Sequence, residues 1–390
     1  MKQVLGRHRL ACVVCVLSGL GTGIGWGQAK TAATSSSNTA STSLSKTASP
    51  ALTKTAGPAA TSAATAVSQN SSYIEPNGTA HVGRIVPVPQ SLSPQAQASL
   101  RRPATDADVP MPLEKRRSST DAYTARAEKQ WRKVCPVTVA NDTVAEVPVR
   151  RITPLHVPKA NADKVLLDLH GGGFDSDSGS YTETIPIAYY ARVPVVAALY
   201  RLAPEHPFPA AVEDAVAVYR ELLKTHKPEQ IAIYGTSAGA ILTGEVAVRL
   251  KQLSLPEPAA LGIFSGFGDF ARPGDSTHLY GLRGFSGYLA APDGERTLSP
   301  YVGSTDMKDP VLSPIYADLK GLPPTLFVTS GRDLLLSGTI DLHRAFLRAG
   351  DDARLMVFDG LPHAFWYDPE LPESIEANRA MSKFLVEHLK

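Results

Sequence analysis

The chain has 390 residues, of which 43% are hydrophobic, so it can form one large domain or two small ones around a sizeable core. Lys and Arg number 39 against 37 Asp and Glu, giving a net charge of +2. With no concentrated Lys/Arg stripe to follow a phosphate backbone, nucleic acid is not an expected partner.

Taken from the N-terminus, Lys2, Arg7 and Arg9 precede an apolar run over 10–25, and Gly27-Gln28-Ala29 offers small residues for cleavage. This pattern predicts a secretory signal over 1–29, cut after Ala29, and a secreted or periplasmic product. The run is glycine-diluted and shorter than the roughly 20 apolar residues that span a bilayer, so no stable membrane insertion is expected once it is removed. Cys12 and Cys15 would leave with the signal, and Cys135 alone could form no internal disulfide. Residues 30–104 read as a disordered tether, first Ala/Ser/Thr-rich and then Pro-rich, with too little apolar bulk to offset the entropy of ordering.

The folded domain is expected over 105–390, beginning with a helix over 121–134. The basic triplet Lys115-Arg116-Arg117 reads as solvated surface. Beyond the helix, β-rich runs occur at 137–140, 145–152, 164–169, 193–200, 231–234, 259–264, 325–329 and 353–358. Segments 210–225, 240–253, 339–349 and 374–389 carry apolar residues at helical spacing. Such alternation predicts an α/β fold, a mostly parallel sheet covered on both faces, with ligands bound at the carboxyl ends of its strands. The interval 266–322 breaks the rhythm. An unstructured loop of that length is out of keeping with a compact domain, so it is expected to form short helices and, with 105–134, to cap the cleft.

Gly235-Thr236-Ser237-Ala238-Gly239 lies between a strand and a helix. A Gly-x-Ser-x-Gly turn in that context is strained and pushes the serine Oγ into the open, while the helix N-terminus behind it favours developing negative charge. A serine needs a base and an acid to orient that base. Among ten histidines, His363 is selected because it falls in a loop just after the strand at 353–358. Asp333 follows the strand at 325–329, with Asp359 as the fallback. The order Ser237, Asp333, His363 is the nucleophile, acid, base order of α/β-hydrolases. His170-Gly171-Gly172-Gly173-Phe174 follows the strand at 164–169, and Gly171, Gly172 and Ala238 are the expected oxyanion-hole donors. A phosphate-binding loop would need a Gly-Lys-Ser/Thr ending, which is missing.

These blocks, together with Tyr200-Arg201-Leu202-Ala203-Pro204-Glu205-His206-Pro207-Phe208-Pro209-Ala210-Ala211, resemble the hormone-sensitive lipase family of α/β-hydrolases, in its subgroup with Thr before the nucleophile. The likeness spans roughly 105–390. It implies an α/β-hydrolase fold with an eight-stranded, mostly parallel sheet flanked by helices and a helical cap. It also implies a structural part for Glu205 and His206, and carboxylic-ester hydrolysis on a small-molecule substrate through an acyl-enzyme, with neither metal nor cofactor. The segment Asp333-Leu334-Leu335 departs from the many relatives that carry Pro after the Asp. The same apparatus can cleave an amide or peptide, and a catalytically silent ligand-binding homologue is the alternative of a different class.

Overall fold

In chain order the elements are β1 (Tyr73–Ile74), β2 (Ala80–His81), α1 (Pro94–Leu100), α2 (Leu113–Val134), β3 (Val137–Val144), β4 (Val147–Pro154), β5 (Val165–Leu169), α3 (Thr184–Ala191), β6 (Val195–Ala198), α4 (Ala210–Leu222), β7 (Ile231–Thr236), α5 (Ala238–Gln252), β8 (Ala260–Phe264), α6 (Asp275–Tyr280), β9 (Thr325–Arg332), α7 (Leu336–Ala349), β10 (Ala353–Pro362) and α8 (Pro372–His388). The computed structural model describes residues 72–101, 112–272, 274–280 and 300–390. The expected signal over 1–29, the first part of the expected tether and residues 281–299 of the expected cap lie outside the described residues.

Strands β3 to β10 form one eight-stranded sheet in the order β10-β9-β8-β7-β5-β6-β4-β3. All pairings from β10 to β6 are parallel, and only β6–β4 and β4–β3 are antiparallel. Strands β5 to β8 are buried along their whole length. That is why their sequences are near-continuous apolar runs instead of alternating ones.

Each face of the sheet has its own core. On one face, Leu167, Leu169, Ile233, Ile263 and Phe327 meet α4, α5 and α7 through Val212, Leu242 and Phe346. On the other, Leu166, Ala232, Tyr234, Phe264 and Val328 meet α2, α3 and α8 through Trp131, Ile185, Met381 and Leu385. Alternation along β5 therefore places Asp168, two residues after Leu166, on the face covered by α3 and α8.

The structure redraws the boundary expected at residue 104. Ser93 caps α1, accepting the Ala96 N–H on its Oγ at 3.1 Å, and Pro94 occupies the first turn where no N–H is needed. The Ser93 N–H and hydroxyl donate to the two Glu373 carboxylate oxygens at 2.6 and 2.9 Å, fixing this end of α1 to the start of α8. Upstream, Arg332 Nη2 donates to the Pro87 carbonyl at 2.7 Å. Polar anchors on α8 and at the end of β9 thus hold a segment that composition alone makes look unfolded. Helix α2 starts at Leu113 instead of 121, because only Thr124, Ala127 and Trp131 of its length are buried and its first half has no apolar period to read.

Candidate active site

Ser237 sits between β7 and α5 with φ 58° and ψ −120°, a backbone conformation that non-glycine residues rarely adopt. Its N–H donates to the Phe264 carbonyl at 3.0 Å, which ties the turn to the end of β8. Both flanking glycines are required by contact. A Cβ on Gly235 would lie 2.3 Å, and one on Gly239 1.6 Å, from the Leu169 carbonyl oxygen, so the start of α5 rests directly on the end of β5. The Thr236 hydroxyl accepts from the Trp366 indole N–H at 3.1 Å.

Asp333 and His363 follow β9 and β10, and the structure brings them together with His363 Nδ1 3.0 Å from Asp333 Oδ1. Asp333 is fully buried, and its Oδ1 also accepts the Leu335 N–H at 2.9 Å. Its Oδ2 accepts from the Thr329 hydroxyl at 2.9 Å and from the Ser265 hydroxyl. Burial pushes this carboxyl up, but the His363 charge and the hydrogen bonds from His363, Ser265 and Leu335 outweigh it and hold Asp333 below its ordinary 3.8. Ser265 Oγ also lies 2.8 Å from His363 Nδ1. Two acceptors thus face Nδ1, so the proton sits on Nδ1 and Nε2 carries the free lone pair.

The glycine loop corrects one expected donor. The Gly171 N–H is already bound to Glu183 Oε1 at 3.0 Å, so it cannot serve a substrate oxyanion. Gly172 and Gly173 follow at φ 127° and 65°. Their N–H groups and that of Ala238 have no acceptor among the described residues. The donor set available in this structure is therefore Gly172, Gly173 and Ala238. His170 is buried, with its ring stacked on Tyr200 at 4.2 Å between centroids.

Ser237, Asp333, His363 and the glycine loop thus follow β7, β9, β10 and β5, and Ser265 follows β8. These are five neighbouring strands of one parallel run. Ser265 and Glu183 are the partners that the sequence did not single out. The position of Ser265 directly after a β-rich run was the available signal. Nothing local marks Glu183, whose contacts are long-range.

Around this row, Arg116 pairs with Asp175, while Arg117 donates to the Asp175 and Ala203 carbonyls at 2.7 and 2.9 Å and to the Glu205 carboxylate at 2.8 Å. Of the triplet expected to be solvated, Lys115 is exposed, whereas Arg116 and Arg117 fasten α2 to the loops after β5 and β6. Of the expected cap at 266–322, the returning part is built into the core. Val302 and Leu312 are buried, and Tyr301 stacks on Phe174, which directly follows the glycine loop, at 3.5 Å between ring centroids. Among the described residues, no group of three or more His, Cys, Asp or Glu side chains is placed to hold a metal ion.

A sequence-family profile described as alpha/beta hydrolase fold matches residues 166–367. An acetyl-hydrolase of Streptomyces hygroscopicus is 35% identical over 232 residues, covering 58% of this chain and 77% of its own. The crystal structure of an esterase, E25, superposes with a TM-score of 0.71 at 31% identity, covering 80% of this chain and 100% of its own. A hormone-sensitive lipase from a metagenome library superposes with a TM-score of 0.65 at 31% identity, covering 73% of this chain and 94% of its own.

Proposed function

This chain belongs to the hormone-sensitive lipase family of α/β-hydrolases and is a carboxylic ester hydrolase, and we propose that it works through Ser237, His363 and Asp333 by way of an acyl-enzyme. The observation that carries this reading is the 3.0 Å contact between His363 Nδ1 and the buried Asp333, at the strand ends beside the strained Ser237 turn. Ser237 Oγ attacks the ester carbonyl as His363 Nε2 takes its proton. Asp333 holds the ring and stabilises its positive charge, and Gly172, Gly173 and Ala238 donate to the tetrahedral oxyanion. His363 then returns the proton to the departing alcohol, and water repeats the cycle on the acyl-enzyme. We propose esters of small to medium acyl groups as substrates, and the acetyl-hydrolase relative supports the small end of that range.

Ser237→Ala tests the assignment. Turnover of p-nitrophenyl acetate is expected to fall on the order of 10⁶-fold by analogy with triad knockouts, and labelling by a fluorophosphonate probe is expected to vanish. Unchanged turnover would remove Ser237 from the mechanism. The signal pattern ending at Ala29 supports export, which fractionation of expressing cells checks.

A further inference from the structure

Glu183 immediately precedes α3, is 1% exposed and lies beneath the oxyanion loop. Its Oε1 accepts the Gly171 N–H at 3.0 Å and the Tyr367 hydroxyl at 3.1 Å. Tyr367 ends the short 3₁₀ turn at Phe365–Tyr367, just after His363. Two glycines shape the seat. A Cβ on Gly179 would lie 1.8 Å from Glu183 Oε1, and one on Gly171 would lie 2.8 Å from the Tyr367 hydroxyl and 2.9 Å from the Thr236 carbonyl. One carboxyl group thus gathers the loop carrying the oxyanion donors and the turn beyond the base, against the residue that precedes the nucleophile.

The second buried acid on this face is Asp168, paired in register with Tyr234 across β5 and β7. Neither Asp168 oxygen nor the Tyr234 hydroxyl has a hydrogen-bond partner among the described residues. Burial, then the nearby Glu183 and Asp177 carboxyls, push Asp168 well above the usual range, so it stays neutral. Burial also raises Glu183, but the Thr236 hydroxyl, the Gly171 N–H and the Tyr367 hydroxyl limit the rise to about 8. Burial thus favours the neutral form of Glu183, in which it acts through its shape and its acceptor oxygen.

We propose that Glu183 is a positioning residue of the oxyanion hole. The Ser178 N–H holds the Gly171 carbonyl at 3.0 Å and the Ser176 N–H the Gly172 carbonyl at 3.1 Å; by engaging the Gly171 N–H, Glu183 fixes the donor side of the same glycine run, and the next two N–H groups then face the cleft. Through Tyr367 it locks that loop to the turn carrying His363. The proposal rests on the ester-hydrolysis reading above. Full charge reaches the oxyanion only in the tetrahedral state, so loosening its donors costs transition-state binding and leaves substrate binding intact.

The test compares Glu183→Ala and Glu183→Gln in the full chain, with circular dichroism and melting curves alongside. It measures kcat and KM for p-nitrophenyl acetate and the affinity for a trifluoromethyl ketone, whose adduct with Ser237 carries the oxyanion. E183A is expected to lose kcat on the order of 10²-fold with KM unchanged, and to lose ketone affinity in parallel. E183Q keeps the acceptor oxygen in the shape of the neutral acid and is expected to stay within a few-fold of wild type. Normal kcat in E183A, a loss confined to KM, or E183Q as impaired as E183A would each overturn the proposal. Should E183A not fold, Tyr367→Phe deletes one of the two donors to Oε1. A fall of about tenfold in kcat and in ketone affinity supports the proposal, and unchanged values overturn it. The two readings fail separately: an active S237A removes the triad, whereas an inactive S237A beside an unimpaired E183A removes only the part given to Glu183.

Discussion

The hydroxyl of Ser265 donates to Asp333 Oδ2 while its oxygen lies 2.8 Å from His363 Nδ1. A residue after β8 thereby touches both members of the pair carried by β9 and β10. Removing the hydroxyl strips one hydrogen bond from a buried carboxylate, an interaction worth about 1.5–3 kcal/mol. Ser265→Ala is expected to lower kcat roughly tenfold with little change in KM. Ser265 has φ 57°, so Ser265→Gly is the control that deletes the same hydroxyl without backbone strain. Equal losses in the two variants attribute the effect to the hydrogen bond, whereas a normal S265G would attribute it to strain.

Asp333→Asn keeps the size of the side chain but places an amide donor or a weaker acceptor against Nδ1. A loss of kcat on the order of 10⁴-fold is expected, as for the equivalent change in another serine triad. A linked effect appears in stability. The carboxyl is held below its ordinary 3.8 in the folded protein, so it contributes stability that is fully present above pH 3.8 and is lost as pH falls below it. Urea midpoints measured through the acid range should drop for wild type and stay flatter for D333N. Parallel curves would show that Asp333 is not the group responsible.

Two helix glycines in α5 should respond oppositely to alanine. At Gly239 the added methyl would meet the Leu169 carbonyl at 1.6 Å, an overlap that can be relieved only by shifting β5 or α5. Gly239→Ala is expected to cost more than about 3 kcal/mol, at the severe end of overpacking. At Gly244 the same methyl would be 3.4 Å from Pro314 Cγ, an ordinary contact. Gly244→Ala is expected to gain about 0.5–1 kcal/mol from helix propensity. Denaturant titration of both variants checks the contrast.

Glu373 receives both donors of Ser93 and so anchors α1 to α8. Glu373→Ala is expected to lower the melting temperature by a few degrees, from about 1–3 kcal/mol of lost charge-assisted bonding. Limited proteolysis should then begin within 72–101. An unchanged digestion pattern would mean that this segment is held by other contacts.

Strands β5 to β8 were legible because buried parallel strands are uninterrupted apolar runs, whereas β3, β4 and β10, which are partly exposed, were legible from their β-rich composition. Ser237, Asp333 and His363 were picked out because each comes shortly after a β-rich run. Helix α3 was not legible: Thr184, Ile185, Pro186, Ile187 and Ala188 are all buried, so it has no polar face and no helical period, and Pro186 lies within it. Helix α1 carried a readable Ser-Pro start, but it sits in surroundings whose composition argued for disorder. The Gly171 assignment failed for a related reason. Three successive glycines look equivalent in sequence, and what separates them is an acid twelve residues away that claims the first N–H.

Neighbouring strands in a sheet are rotated by about 20–25° per step, always with the same hand. Four parallel steps separate β10 from β5, so the first and last strands of the row point roughly a right angle apart. The groups after them do not form a straight line. They follow an arc, and an arc has a hollow side. Ser265, after β8, stands at the middle of that curve, with Asp333 and His363 on one side and Ser237 and the glycine loop on the other. The same sheet laid flat would offer those groups in a file, each facing the same way.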